Sequence, residues 1–71
     1  MNVKELKSVM ALFGDTYKNL ADLLGISEAS VGNKINEKGT EFKQGEIAKI
    51  KERYSLSSEQ IDSIFFSKTV S

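Results

Sequence analysis

The residues of this sequence that could do recognition chemistry are concentrated between positions 27 and 36, which read Ser-Glu-Ala-Ser-Val-Gly-Asn-Lys-Ile-Asn. The carboxylate of Glu28, the amide of Asn33 and the ammonium of Lys34 offer hydrogen-bond donors and acceptors of different kinds. The apolar residues are sparse here, and Val31 and Ile35 lie four apart, on one side of a helix. The stretch therefore predicts a short helix that packs on the rest of the domain through a narrow apolar stripe and presents its polar groups to a partner.

The sequence offers few residues for catalysis or metal binding, because it contains no His and no Cys. The usual general base, the thiolate nucleophile and the commonest zinc ligands are therefore missing. No glycine-rich phosphate loop is present, and no pair of carboxylates falls in a plausible pocket. We expect a protein that is not an enzyme and that uses no metal, cofactor or small-molecule substrate.

The chain of 71 residues is predicted to form a single domain over residues 1–71. It is 39% apolar and 28% charged, as in an ordinary soluble domain. No apolar run approaches the roughly 20 residues that would cross a membrane, and the N-terminal residues do not resemble a signal peptide. The cytoplasm is the expected compartment. Ten basic and ten acidic residues give a formal net charge of zero.

Hydrophobic periodicity and capping signals predict an all-α fold, a compact bundle of about five short helices. Gly14 is expected to end the first helix, Asp15 or Thr16 to cap the second, and Ser57 with Gln60 to form a capping box before the fifth. The predicted helices are Val3–Phe13, Tyr17–Leu24, Glu28–Asn36, Lys43–Tyr54 and a segment that begins after Ser57. Residues 67–71 are expected to fray.

The buried sides of these helices are predicted from apolar spacing. The apolar stripe of the first helix is expected to consist of Val3, Leu6, Met10 and Phe13, widened by Val9 and Leu12. The buried side of the second is expected to consist of Leu20, Ala21, Leu23 and Leu24. The fourth helix is expected to turn Phe42, Ile47, Ile50 and Tyr54 inward, and to expose Lys43, Glu46, Lys49, Lys51, Glu52 and Arg53. Of Phe65 and Phe66, one is expected in the core and the other in a dimer contact or an apolar surface patch.

The second and third helices have the spacing of a helix-turn-helix over about residues 16–36. A steep crossing needs a small residue where the helices meet, at Ala21, and a residue that tolerates positive φ in the turn, at Gly25. The apolar residues that would lock the pair are Leu20, Leu24, Ile26, Val31 and Ile35. The combined spacing is far more specific than any one of these residues.

The run Leu-Ala-Asp-Leu-Leu-Gly-Ile-Ser at residues 20–27, followed by Val31 and Ile35, resembles the helix-turn-helix of the Cro/CI family of phage and bacterial repressors. The residues 33–36, 42–47, Ile61 and 65–66 resemble those of a narrower group, the small Cro-like regulators of temperate phages of Gram-positive bacteria. The resemblance implies a lambda repressor-like DNA-binding domain. It also implies a role in a lysis/lysogeny switch in the cytoplasm of a bacterial host.

The resemblance further implies that the third helix lies in the major groove. Its base-facing positions would be Glu28, Ala29, Gly32 and Asn33. The phosphate-side candidates would be Tyr17, Lys18, Ser27, Lys34, Asn36 and Lys38. Many relatives have Gln where Tyr17 stands, so the usual amide contact at that position is replaced by a hydroxyl.

Two partners therefore remain open: operator DNA and a CI-type repressor protein. An operator with two half-sites would require two copies of the domain, as a dimer or side by side. A net charge of zero is unusual for a DNA-binding protein, and an acidic residue such as Glu28 is unusual at the start of its DNA-reading helix. They favour the alternative, an anti-repressor in which the same surface binds and inactivates the repressor. In that case Glu28 would pair with a basic residue of the partner.

Overall fold

A computed structural model describes residues 1–66, and the predicted frayed tail lies outside the described residues. In the described part of the chain, five α-helices are joined by turns and loops without a strand. The helices are α1 (Val3–Leu12), α2 (Tyr17–Leu24), α3 (Glu28–Ile35), α4 (Gln44–Tyr54) and α5 (Ser58–Phe65). The all-α prediction is confirmed. Three predicted end residues, Phe13, Asn36 and Lys43, are cap residues instead of helical ones.

Local capping explains where the helices begin and end. The Thr16 side chain caps α2, and the backbone N–H of Thr16 donates to Oδ1 of Asn19 at 2.9 Å. Ser57 and Gln60 form the expected capping box at the start of α5, with distances of 2.8 and 3.1 Å. Gly14 follows α1 with φ of +70°, a left-handed conformation that costs glycine little. These signals act within a few residues, so the sequence predicted them well.

The core is formed by residues from every helix together with two loop residues. α2 packs on α3 and α4, while α5 packs on α1 and α4. The buried apolar residues are Leu6, Met10, Leu20, Ala21, Leu24, Val31, Ile35, Phe42, Ile50, Tyr54, Leu56, Ile61 and Ile64. The predicted inward residues Leu23 and Ile47 are only partly buried against this core. Leu56 lies in the turn before α5, where helical periodicity gave no signal.

The prediction that Leu12 widens the buried stripe of α1 is wrong, because the Leu12 side chain is 82% exposed. Leu6 and Met10 point into the core, and a residue two positions beyond Met10 lies on nearly the opposite side of a helix. Val9 packs partly against the core, as expected. Phe13, the last residue of the predicted stripe, is half exposed instead of buried, because it caps the end of α1, and its ring meets that of Tyr54 edge to face at 4.8 Å.

The two adjacent phenylalanines at the end of α5 have different surroundings. Phe65 is partly buried, with its ring edge to face against Phe42 at 5.8 Å. Phe66 is 55% exposed. The prediction that one of the pair lies in the core is thus met only in part, since Phe65 packs against the core without being fully buried, and a role for Phe66 in a dimer stays a prediction. None of the helices within residues 1–66 combines the length and apolar character needed to span a bilayer.

Candidate interaction surface on α2 and α3

A three-residue turn, residues 25–27, joins α2 to α3. Gly25 ends α2 with φ of +70°, and the backbone N–H of Ile26 donates to the carbonyl of Ala21 at 3.1 Å. Ser27 then caps α3, with Oγ accepting from the backbone N–H of Ser30 at 3.1 Å. The turn thus has the left-handed glycine and the capping serine that the sequence predicted.

The predicted scaffold residues fix α3 against α2. Val31 and Ile35 are completely buried. Ile26 packs partly against the core from the turn. The remaining buried scaffold residues are Leu20, Ala21 and Leu24 on α2. Because α3 is held by its inner side, its outer side is free to contact a partner.

The outer side of α3 consists of positions 28, 29, 32, 33 and 36, which share one side of a helix. Together with the cap residue Ser27 and the start of α2, we call these residues the α2–α3 surface. Its members are Tyr17, Lys18, Ser27, Glu28, Ala29, Gly32, Asn33 and Asn36. All are exposed except Tyr17 and Gly32, which are half-buried. Lys38 is exposed in the loop that follows α3.

Some polar groups of this surface are already engaged. The Ser27 hydroxyl donates to Oγ of Ser30 at 2.9 Å, and Nδ2 of Asn36 donates to the carbonyl of Gly32 at 2.9 Å. The amide of Asn33 makes no side-chain hydrogen bond to another residue within 1–66. Glu28 likewise has no ion pair within that range. Asn33 and Glu28 are therefore available for new hydrogen bonds on the outer side of α3.

Lys34 does not belong to this surface, and its predicted exposure on α3 is wrong. The residue is 7% exposed, and Nζ donates to the carbonyl of Glu41 and to Oε1 of Glu46, both at 3.1 Å. The reason is the path of the chain, since residues 36–43 fold back and bring Glu41 and the first turn of α4 over this side of α3. The ammonium is thus committed inside the domain and is not positioned as a phosphate contact.

Glu46 is the partner of Lys34, and its predicted exposure on α4 is also wrong. Its side chain is 12% exposed, and Oε1 also accepts from the backbone N–H of Lys43 at 2.8 Å. Burial raises the pKa of Glu46, but the hydrogen bonds from the Lys43 N–H and the Lys34 ammonium outweigh burial. The net pKa is lowered, so the carboxylate stays charged while it caps α4 and holds α3.

A second polar cluster, which no local sequence pattern predicts, supports the start of α2. Asp15 accepts hydrogen bonds from the Arg53 guanidinium at 2.7 and 2.9 Å and from the Tyr54 hydroxyl at 2.6 Å. Hydrogen bonding to Arg53 and then to Tyr54 lowers the pKa of Asp15. Burial and the adjacent carboxylate raise the pKa of Tyr54. Asp15 had been predicted only as an alternative cap, and its partners lie 38 and 39 residues away.

The described residues give no indication of a metal site. No group of three or more acidic, His or Cys side chains within residues 1–66 is arranged to hold an ion. Every buried side-chain nitrogen and oxygen in that range has a hydrogen-bond partner.

The fold and this surface define a small all-helical domain whose consecutive helices α2 and α3 expose a polar side. Residues 5–68 match the family described as "Protein of unknown function (DUF739)", and the chain belongs to that family. Comparison with curated proteins and with solved structures gives no match. The matched range includes most of α1 and all of α2 to α5, so the family is defined by the whole bundle and not by α2 and α3 alone.

Proposed function

We propose that this protein is a phage-type, Cro-like regulator of transcription that binds operator DNA through α2 and α3. The observation that carries the proposal is the division of α3 into two sides. Val31 and Ile35 are completely buried on one side of α3, whereas Glu28, Ala29 and Asn33 are exposed on the other. A helix held in this way, after a short glycine turn, suits insertion into the major groove, as in helix-turn-helix proteins.

The exposed groups match the hydrogen-bonding edges of bases. The free amide of Asn33 has the donor and acceptor that pair with N7 and N6 of adenine. The carboxylate of Glu28 can accept from N4 of cytosine, and the methyl group of Ala29 can contact a thymine methyl. A switch between lysis and lysogeny would use such readout to choose among operator sites.

On and beside the α2–α3 surface, few basic side chains are available to contact DNA phosphates. Lys18 and Lys38 are exposed, and Tyr17 can offer its hydroxyl, whereas the ammonium of Lys34 is paired within the domain. Two lysine contacts per domain correspond to a slope of log K against log salt of about −1.8 per domain. We therefore expect binding that depends more on hydrogen bonds to bases than on charge.

The pairing of Lys34 also favours a second candidate, an anti-repressor that uses the same surface on a CI-type repressor. Without Lys34, Glu28 is the charged side chain on the outer side of α3 within the described residues. A carboxylate in that position complements the arginines and lysines that a repressor presents to DNA. Charge complementarity of this kind sets partner choice, so Glu28 is the residue on which the alternative depends.

A mobility-shift series on the DNA that flanks the gene tests the first candidate and separates it from the second. The protein alone, the neighbouring repressor alone, and both together are titrated at several salt concentrations. A sequence-specific shift by the protein alone, abolished by Asn33→Ala, supports DNA binding. Lys38→Ala should reduce the salt slope by about 0.9, whereas Lys49→Ala, which removes an exposed lysine of α4, should leave it unchanged.

The anti-repressor is supported instead if the protein produces no shift alone but releases the repressor from its DNA. Glu28→Gln should then weaken binding to the repressor, and an unchanged affinity would remove the basis for this candidate. Sequence-specific DNA binding that is insensitive to Asn33→Ala would argue against the proposed role of α3.

A further inference from the structure

Gly32 occupies a position in α3 where the fold itself does not require glycine. It is the fifth residue of the eight-residue helix and has no positive φ. A β-carbon built at Gly32 would meet only Cε2 and Cδ2 of the Tyr17 ring, at 3.7 and 3.8 Å, which is ordinary van der Waals contact. Alanine would therefore fit without displacing any neighbour.

Glycine at this position nevertheless has a cost. In a helix interior it lowers the folding equilibrium constant about fivefold relative to alanine. The missing methyl group leaves a gap on the α2–α3 surface, next to the half-buried Tyr17 ring. A residue that weakens the helix and that no internal contact demands is explained if a ligand uses this gap.

The chemistry of the gap favours an apolar group. Its walls are the α-carbon of Gly32 and the aromatic carbons of Tyr17. The carbonyl of Gly32 already accepts two hydrogen bonds from Asn36, from the backbone N–H at 3.0 Å and from Nδ2 at 2.9 Å. Both lone pairs of that oxygen are thus occupied, so the Gly32 carbonyl offers the gap no free acceptor, and the nearest ring carbons of Tyr17 offer apolar contact.

We infer that Gly32 is a specificity-determining residue whose open position receives the 5-methyl group of a thymine in the major groove, against the Tyr17 ring. This inference rests on the proposed DNA binding, because thymine supplies the apolar group that the major groove displays. Gly32 thus sets how closely the backbone of α3 approaches the base pair and selects thymine at that position.

The test uses the full chain and an operator selected from random duplexes. Each thymine of the operator is replaced by uracil, which removes only the methyl group. Binding is compared for the wild-type protein, Gly32→Ala and Gly45→Ala. Gly45 is a matched control, because it is a helical glycine of α4 at which an added β-carbon meets nothing within 4 Å.

For the wild-type protein, we expect uracil at one position of each half-site to weaken binding about fourfold. Gly32→Ala should melt at a higher temperature than the wild type, bind the operator at least about fivefold more weakly, and no longer distinguish thymine from uracil at that position. Gly45→Ala should bind like the wild type. The higher melting temperature separates a loss of fit from a loss of folding.

The outcomes separate this inference from the proposed function. If the wild-type protein selects an operator but Gly32→Ala binds it equally well, the inference is overturned and DNA binding stands. Equal sensitivity of wild type and Gly32→Ala to uracil likewise overturns the assignment to thymine. If the wild-type protein selects no DNA sequence and binds only a protein, the proposed DNA binding fails and the inference fails with it.

Discussion

The guanidinium of Arg53, near the end of α4, donates two hydrogen bonds to the carboxylate of Asp15, just before α2, at 2.7 and 2.9 Å. The Asp15 side chain is 5% exposed, whereas that of Arg53 is 41% exposed. The contact ties the start of α2 to a helix that is distant in sequence. Since α2 carries α3, the pair also contributes to the orientation of the α2–α3 surface.

Asp15→Asn is expected to lower the free energy of unfolding by about 1–3 kcal/mol, because a nearly buried acceptor of charge-assisted hydrogen bonds is lost. Urea unfolding followed by circular dichroism measures the change. Asp22→Asn, at an exposed position of α2, is the matched control and should stay within about 0.5 kcal/mol of the wild type. Equal stability of the two variants would contradict a stabilising role for the Asp15 cluster.

Stability should fall in acid because the pKa values of Asp15 and Glu46 are lowered in the folded protein. A carboxyl group with a lowered folded pKa contributes stability above its unfolded pKa and loses that contribution as the pH falls through the folded value. The unfolded values are near 3.8 and 4.5, so the decline is expected below about pH 4.5. Unfolding in urea between pH 2 and 7 tests this, and Asp15→Asn with Glu46→Gln should flatten the profile.

Lys34→Met is expected to lower the free energy of unfolding by about 2–4 kcal/mol, because it leaves the carboxylate of Glu46 largely buried without its ammonium partner. The double variant with Glu46→Gln should lose less than the sum of the two single changes. Denaturant unfolding of all four proteins gives the coupling energy. A Lys34→Met protein that keeps its stability but binds DNA with a shallower salt slope would show that Lys34 contacts phosphate instead.

Leu6→Ala and Leu12→Ala remove the same atoms from a buried and an exposed position of α1. Leu6 is fully buried, so its replacement should cost about 2–5 kcal/mol, whereas replacement of the 82% exposed Leu12 should change stability by less than about 0.5 kcal/mol. Thermal or urea unfolding compares them directly. Similar losses for both variants would place Leu12 in the core after all.

Gly25→Ala is expected to cost about 1–2 kcal/mol, because φ of +70° is unfavourable for a residue with a β-carbon. Gly45→Ala, in helical conformation, should instead raise stability slightly. Melting temperatures of the two variants give the comparison. A stable Gly25→Ala protein would mean that the turn between α2 and α3 adopts another conformation.

The sequence predicted the features that depend on neighbouring residues. The start and end of α2, the left-handed Gly25 and the Ser57 capping box all follow from signals within a few positions. The inner residues Val31 and Ile35 were predicted by their spacing. The outward side of α3 was also predicted, although the identity of its partner stays a prediction.

The errors concern residues whose environment is set by distant parts of the chain. Lys34 is buried because the chain after α3 folds back and places the carbonyl of Glu41 and the carboxylate of Glu46 beside its ammonium. No local sequence pattern predicts that path. Asp15 finds Arg53 and Tyr54 on α4 for the same reason. Leu12 is an error of another kind: its side chain is apolar, but it lies on nearly the opposite side of α1 from Met10 and is exposed.

The three-residue turn between α2 and α3 also bears on how the chain folds. The two helices pack on each other and are neighbours in sequence. Bringing them together therefore closes a very short loop, at little entropic cost. Helical domains with such local contacts reach the native state within microseconds to milliseconds. We expect stopped-flow refolding of this domain to be complete within milliseconds, with α2 and α3 among the first helices to associate.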